Sequence, residues 1–224
     1  IFHNKNDFKL LKKITGVIDN KMSTITYGSG VNLSLFNKNK EKTINKKILF
    51  IGRILYDKGI LDLFNAVEIL NKSSHNFKFY IMGNFDEENP SGIKKNFFFK
   101  RLNKIKNIYY IGYKKNIHKH IYNYSSVVFP SHHEGAPKTI LEAAAAGRLI
   151  FASNIPGCVS LIKNGLDGVI FKKSNPMDLA KKISKTYKNL KKIDILRKNA
   201  RLKANKYFSI KNVIEAHKKI YSSL

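Results

Sequence analysis

The sequence predicts an α/β fold: a Rossmann-like, doubly wound parallel sheet covered by helices on both faces. Three observations lead there. Short apolar runs recur from about Lys47 onward, they alternate with segments of helical periodicity, and they are too apolar for a sheet with one wet face. Such alternation needs crossover connections, and right-handed crossovers give a doubly wound domain.

The elements follow in chain order. ILFIG (48–52) is the first strand, and GILDLFNAVEILNK is the first helix because Ile60, Phe64, Val67 and Leu70 keep helical spacing. FKFYIMG (77–83) ends in the polar loop NFDEENPSG, before the basic helix KKNFFFKRLNK. Phe97, Phe98 and Phe99 cannot share one helix face, which predicts a partly buried helix rather than one lying in a membrane surface. NIYYIG (107–112), the short helix NIHKHIYNY and the strand SSVVFP come next. Pro137 and Gly147 bracket a helix that should start near Glu134. LIFAS (149–153) and GVIF (168–171) close the strands, Pro176 opens PMDLAKKISKTYKNL, and helical segments at 193–206 and 209–222 finish the chain.

Residues 1–36 do not join this rhythm. IFHN reads as a strand end, DFKLLKKI as a helix and STITYGSGV as a strand entering a glycine turn, together the tail of a preceding domain. NKNKEKTINKK makes 37–46 a hinge, 47–206 the Rossmann-like domain, and 207–224 a C-terminal helix expected to pack back on the first domain. Ile1 is followed by neither a charged n-region nor an apolar h-region, so no signal peptide is read and an upstream part is expected.

Composition narrows the setting. No apolar run is long enough to span a bilayer, and the single Cys158 excludes an internal disulfide and a cysteine zinc cluster, which fits a reducing cytoplasm. The charge is +27, from 42 Lys+Arg against 15 Asp+Glu. Its lysines are scattered over every predicted surface rather than gathered in a block. A Lys-, Asn- and Ile-rich bias accounts for them best, contact with an anionic membrane surface second, and nucleic acid is not expected.

Ligands of a doubly wound sheet sit beyond the carboxyl ends of its strands. There Arg53 and Lys58 stand five apart on the loop opening the first helix, where helix amides already favour an anion such as a diphosphate. Only Gly52 and Gly59 are present, so the loop is neither GxGxxG nor a Walker loop. Glu134 and Glu142 lie eight apart, about 12 Å along an axis if the stretch is helical, and suit the two ends of an elongated hydroxyl-bearing ligand. The alanines 143–146 would let that helix approach the sheet closely. His132-His133 and His118-x-His120 lack a shared face or a third ligand, so no metal is read there and His132 and His133 count as polar loop residues. Cys158 reads as a small packed residue.

RILYDKG, EGAPKTILE and PSHHEGAPKTILEAAAAGRLIFASNIPGCVSLIKNGLDGVIF together resemble the C-terminal, donor-binding half of the retaining glycosyltransferases of family 4, of GT-B fold. The resemblance covers essentially the whole chain. Glu134 and Glu142 match the family's pair of glutamates with seven residues between them, and Arg53 and Lys58 match its cation pair. YGSGVNLSLF resembles the segment ending the N-terminal domain, with Ser29 and Asn32 replacing the usual Asn and Asp; Ala143-Ala144-Ala145 replaces the common Ala-Met-Ala.

The resemblance implies a nucleotide-sugar donor and a role for each matched position. Glu142 would hold the ribose hydroxyls, Glu134 with the Gly135 and Ala136 amides the donor sugar, and Lys138 and Thr139 the phosphates. Arg53 and Lys58 would neutralise the departing diphosphate, while Gly83 and the Tyr113 turn would line the nucleotide and base. No cofactor and no metal is implied, the two cations and the helix dipole serving instead. PSHHEGAPKTILEAAAAGRLIFASNIPGC is most similar to enzymes using UDP-N-acetylhexosamines on undecaprenyl-linked acceptors. The implied activity is hexosyl or N-acetylhexosaminyl transfer in bacterial surface polysaccharide or lipid-linked glycan synthesis, to a polyprenyl-linked or saccharide acceptor. The implied place is the cytoplasm or the inner face of its membrane as a peripheral protein. This chain alone is expected to bind nucleotide without transferring sugar. The rival expectations are a non-catalytic nucleotide-binding or basic binding module, and a nucleotide-sugar epimerase or a phosphorylase of the same fold.

Overall fold

Apolar side chains on both faces of the strands bury the sheet on both sides in the computed structural model of the chain, except at the edge strand Ile108–Tyr110, where Tyr109 is exposed. The structure describes residues 2, 4–16, 23–36, 44–73 and 76–222. The strands are β1 (Lys47–Ile51), β2 (Lys78–Met82), β3 (Ile108–Tyr110), β4 (Ser126–Phe129), β5 (Leu149–Ser153) and β6 (Val169–Phe171). They form one six-stranded sheet of order β3-β2-β1-β4-β5-β6, parallel throughout. The helices are α1 (Lys5–Thr15), α2 (Ile60–Asn71), α3 (Lys95–Leu102), α4 (Ile117–His120), α5 (Lys138–Ala145), α6 (Pro156–Leu161), α7 (Pro176–Tyr187), α8 (Leu190–Tyr207) and α9 (Ile210–Tyr221).

The pleat sends alternate residues of each strand to opposite faces, and two cores result. Ile48, Phe50, Phe79, Ile81, Val128 and Phe151 meet α2, α3 and α7 on one face. Leu49, Ile51, Met82, Val127, Ile150 and Ala152 meet α5 and α6 on the other. Helix α8 serves both: Ile193 and Leu196 join the first core, Ala200 and Ala204 the second. Ala143 to Ala146 are all buried among these residues, the close packing that their small size allows. Phe98 is fully buried while Phe97 and Phe99 stay largely exposed, as three successive helix positions require.

One expectation is corrected, and one helix was not foreseen. The strand expected over STITYGSGV is reduced to single parallel bridges, Phe2 with Ile25 and Val31 with Ser209. Its backbone finds no ladder to extend. Helix α6 was hidden in IPGCVSL, because six residues opened by proline and glycine show too little periodicity to announce a helix. The hinge expected at 37–46 lies outside the described residues up to position 43.

Residues 27–31 meet the stretch from Tyr207 to Ile210. Gly30 (φ +70°) sits so close to α9 that a Cβ there would fall 2.8 Å from the Ile210 Cα, and the Tyr27 ring contacts those of Tyr207 and Phe208. Helix α9 buries no residue fully and leaves Ile210, Ile214 and Tyr221 exposed.

Candidate functional site

The strand order reverses between β1 and β4, so the crevice of this sheet lies outside their carboxyl ends. The loops leaving these two strands, 52–59 and 130–137, carry most of the residues singled out from the sequence, and they are pressed together. A Cβ on Gly59 would lie 2.1 Å from the Pro130 carbonyl oxygen. The His132 amide donates to the Asp57 carbonyl at 2.8 Å. The Lys58 ammonium forms an ion pair with Glu134, both side chains largely buried. Glu134 is therefore a partner of the first loop and not a cap of the following helix.

Helix α5 starts at Lys138, after the N-cap Pro137 (φ −70°, ψ 117°), four residues later than expected. Proline disfavours helical backbone at the residue before it, so Ala136 cannot open the helix and the Gly135 and Ala136 amides belong to the loop. The first-turn amides of Lys138 and Thr139 have no intrahelical acceptor. Glu142 sits one turn inside α5, half-buried, and none of the described hydrogen bonds or ion pairs engages its carboxylate. Burial holds that carboxyl above the usual carboxylate range, with the Lys138 charge opposing.

Arg53 projects more into solvent, 55% exposed, and donates to Asp86 Oδ2 at 2.7 Å. Gly83 is fixed by close approach: a Cβ would lie 1.8 Å from the Gly52 carbonyl oxygen. The Gly83 amide donates to the Gly112 carbonyl at 3.1 Å, and the Gly83 carbonyl accepts from the Tyr110 hydroxyl at 2.8 Å. Glycines thus follow β1, β2 and β3 in a row. Tyr113, next to the Gly112 turn (φ +69°), is 58% exposed, and no described contact ties it to the Lys58–Glu134 pair.

Sequence reasoning missed several supports of this site. Asp86, partner of Arg53, lies in a stretch that reads only as a polar loop. Ser91 of the same loop accepts from the Asp57 amide through Oγ and from the Tyr56 amide through its carbonyl. Gly157, at the start of α6, abuts the glutamate loop so tightly that a Cβ would fall 2.2 Å from the Glu134 carbonyl oxygen. Asn4 donates to the Gly135 carbonyl at 3.2 Å. His132 is not merely a polar loop residue: its Nε2–H donates to Asp62 Oδ2 at 2.7 Å. The available signals were faint: an acid in the first turn of a helix, and a histidine two positions before a glutamate.

Among the described residues, no group of three or more His, Cys, Asp or Glu side chains is placed to hold a metal ion. None of the described helices is long and apolar enough to cross a membrane. Cys158 is buried, and burial together with the nearby Glu134 charge pushes its thiol far up, with Lys58 opposing. The native chain is expected to leave a thiol reagent unreacted at pH 8 and to react with one equivalent once denatured; fast reaction of the folded chain would contradict this packing.

A doubly wound sheet with this strand order, and with cations and carboxylates gathered beyond its strand ends, is the fold of the GT-B glycosyltransferases. The chain belongs to the glycosyl transferases group 1 family, which it matches over residues 32–203. It is 32% identical over 220 residues to the N,N'-diacetylbacillosaminyl-diphospho-undecaprenol alpha-1,3-N-acetylgalactosaminyltransferase of Campylobacter jejuni, covering 92% of this chain and 56% of that protein. It is 27% identical over 216 residues to the capsular polysaccharide biosynthesis glycosyltransferase CapM of Staphylococcus aureus, with the same coverage of 92% and 56%. The chain thus spans about half the length of these relatives. Its fold matches Anabaena HepE in complex with UDP and glucose at a TM-score of 0.83, with 14% identity, over 100% of this chain and 62% of that one. It also matches a glycosyltransferase from Rickettsia africae at a TM-score of 0.81, with 22% identity, over 97% and 61%. These two likenesses speak to the fold alone.

Proposed function

We propose that this chain is the donor-binding portion of a retaining glycosyltransferase that takes a UDP-N-acetylhexosamine, in bacterial surface polysaccharide or lipid-linked glycan synthesis. The observation that carries the reading is the joining of two loops at the switch point. Lys58 and Glu134 are paired there, and Glu142 stands without a described partner one turn into a helix whose first amides lack intrahelical acceptors.

The parts then divide an extended donor among them. Glu142 accepts from the ribose hydroxyls, and the Lys138 and Thr139 amides face the phosphates at the positive end of α5. Glu134 and the Gly135 and Ala136 amides meet the sugar. Gly83 lets the nucleotide approach the backbone closely, and Tyr113 flanks the base. As the bond from the sugar's anomeric carbon to the diphosphate oxygen breaks, its electron pair leaves with UDP, while an acceptor hydroxyl oxygen bonds to that carbon and gives its proton to the departing diphosphate. Lys58 and Arg53 stabilise the charge that grows there. Both cations are held by carboxylates in the free chain, Lys58 by Glu134 and Arg53 by Asp86, so their positions are set before the diphosphate arrives. No metal or other cofactor is required by this scheme. The acceptor is a polyprenyl-linked or other saccharide, a reading supported by the undecaprenol in the name of the Campylobacter relative. Such an acceptor would place the protein at the cytoplasmic face of a membrane, held peripherally with help from its +27 charge.

Titrating the chain with UDP, GDP and ADP tests the donor assignment. UDP is expected to bind tightest, and a clear preference for GDP would overturn it. Steep salt dependence without nucleotide preference would favour a basic binding module instead.

A further inference from the structure

We propose that His132 is a positioning residue, held by Asp62, that fixes the register of the loop carrying Glu134 against the loop carrying Lys58. The inference rests on the donor-site reading above. Its basis is a periodic contact. Every second residue of the loop touches the start of α2 or the turn before it: Pro130 on Gly59, His132 on Asp57 and Asp62, Glu134 on Lys58. All three contacts are made toward the start of α2, the chain bends at His132, and His133 is exposed to solvent.

His132 is the middle rung and is bound twice. Its amide donates to the Asp57 carbonyl at 2.8 Å, and its ring Nε2–H donates to Asp62 Oδ2 at 2.7 Å. Asp62 lies in the first turn of α2, where the helix dipole favours a negative charge, so the acceptor is itself well seated. Without the His132 contacts the loop would be free to slide along the start of α2 and carry Glu134 away from Lys58. Neither Gly59, which offers only a close approach, nor the Lys58–Glu134 pair, whose lysine is long and flexible, fixes that register alone. The far side of the loop is closed by Gly157, packed on the Glu134 and Gly135 carbonyls, which leaves Glu134 little room to adjust.

His132 should therefore act on the sugar end of the donor and not on the nucleotide end, which is held by Glu142 on α5. The test measures affinity of this chain for UDP and for UDP-N-acetylglucosamine in four variants. His132→Ala is expected to weaken the nucleotide sugar by roughly tenfold, the scale of one lost hydrogen bond to a charged group, and UDP by much less. Asp62→Ala should do the same, and the double variant should be no worse than either single one, because the two act as a unit. His132→Gln, whose amide nitrogen can reach Asp62, should restore most of the loss. Equal weakening of both ligands, additive losses, a Gln variant as poor as Ala, or no loss at all would each overturn the inference. Should His132→Ala not fold, Asp62→Asn with the Gln variant carries the same comparison. Failure of the unaltered chain to bind either ligand would instead overturn the donor-site reading, so the two failures are told apart.

Discussion

Replacing Glu142 with glutamine is expected to strengthen the folded chain at neutral pH and to weaken its hold on UDP. The carboxyl is half-buried, pairs with no described side chain, and burial holds its folded pKa above the ordinary value. For an acid this sign means that the fold disfavours the charged form. The folded state keeps its proton longer than the unfolded one, so stability is greatest below the unfolded pKa of about 4 and is lost as pH rises through the folded value. Glutamine removes that penalty. Its melting midpoint should exceed that of the unaltered chain at pH 8, and the gap should close as pH falls toward about 4. A lower midpoint at pH 8 would show that Glu142 is stabilised by something other than a ligand. On the proposed donor-site reading, loss of charged hydrogen bonds to a ribose would cost about 1.5–3 kcal/mol, a fall of roughly 10- to 150-fold in UDP affinity by calorimetry. The unaltered chain should also lose UDP as the pH drops and Glu142 is protonated, while the variant should not share that dependence.

The second large effect is expected at Gly59. Its backbone is left-handed (φ +71°), and an added Cβ would lie 2.1 Å from the Pro130 carbonyl oxygen. An L-residue there loses about 1–2 kcal/mol to the dihedral. Relieving the overlap costs about 1–3 kcal/mol more and must push the two site loops apart. Gly59→Ala should lower the melting midpoint by several degrees, on the order of 5–15 °C for a domain of this size. Gly135 is the matching control. A methyl group added there would meet no atom within 4 Å, and its φ is not positive, so Gly135→Ala should leave the midpoint nearly unchanged. Similar losses in both variants would refute the account of loop packing.

The contrast between these glycines also shows what the sequence could and could not disclose. Strands such as ILFIG and LIFAS were legible because a buried parallel strand must be apolar on both sides, a local requirement written in consecutive residues. Arg53, Lys58, Glu134 and Glu142 could be singled out because their spacing within one loop or helix matches a family pattern. What was hidden is pairing across the fold. Arg53 meets Asp86 33 positions away, His132 meets Asp62 70 positions away, and Asn4 meets Gly135 131 positions away. No local pattern marks such partners, because the sheet alone brings their loops to one edge. The start of α5 was misplaced for a different reason. Pro137 reads as a first-turn proline, whereas its own backbone is extended (ψ 117°), so it serves as the N-cap and the helix starts at Lys138.

One small contact ties the donor loop to the opening of the chain. The Asn4 side chain, almost wholly buried, accepts from the Asp7 amide at 2.8 Å as the cap of α1 and donates to the Gly135 carbonyl at 3.2 Å. A single amide group thus belongs to two structures at once. Under the donor-site reading proposed above, a sugar that moved the Gly135 carbonyl would load the cap of α1, and linkage would make that exchange symmetric.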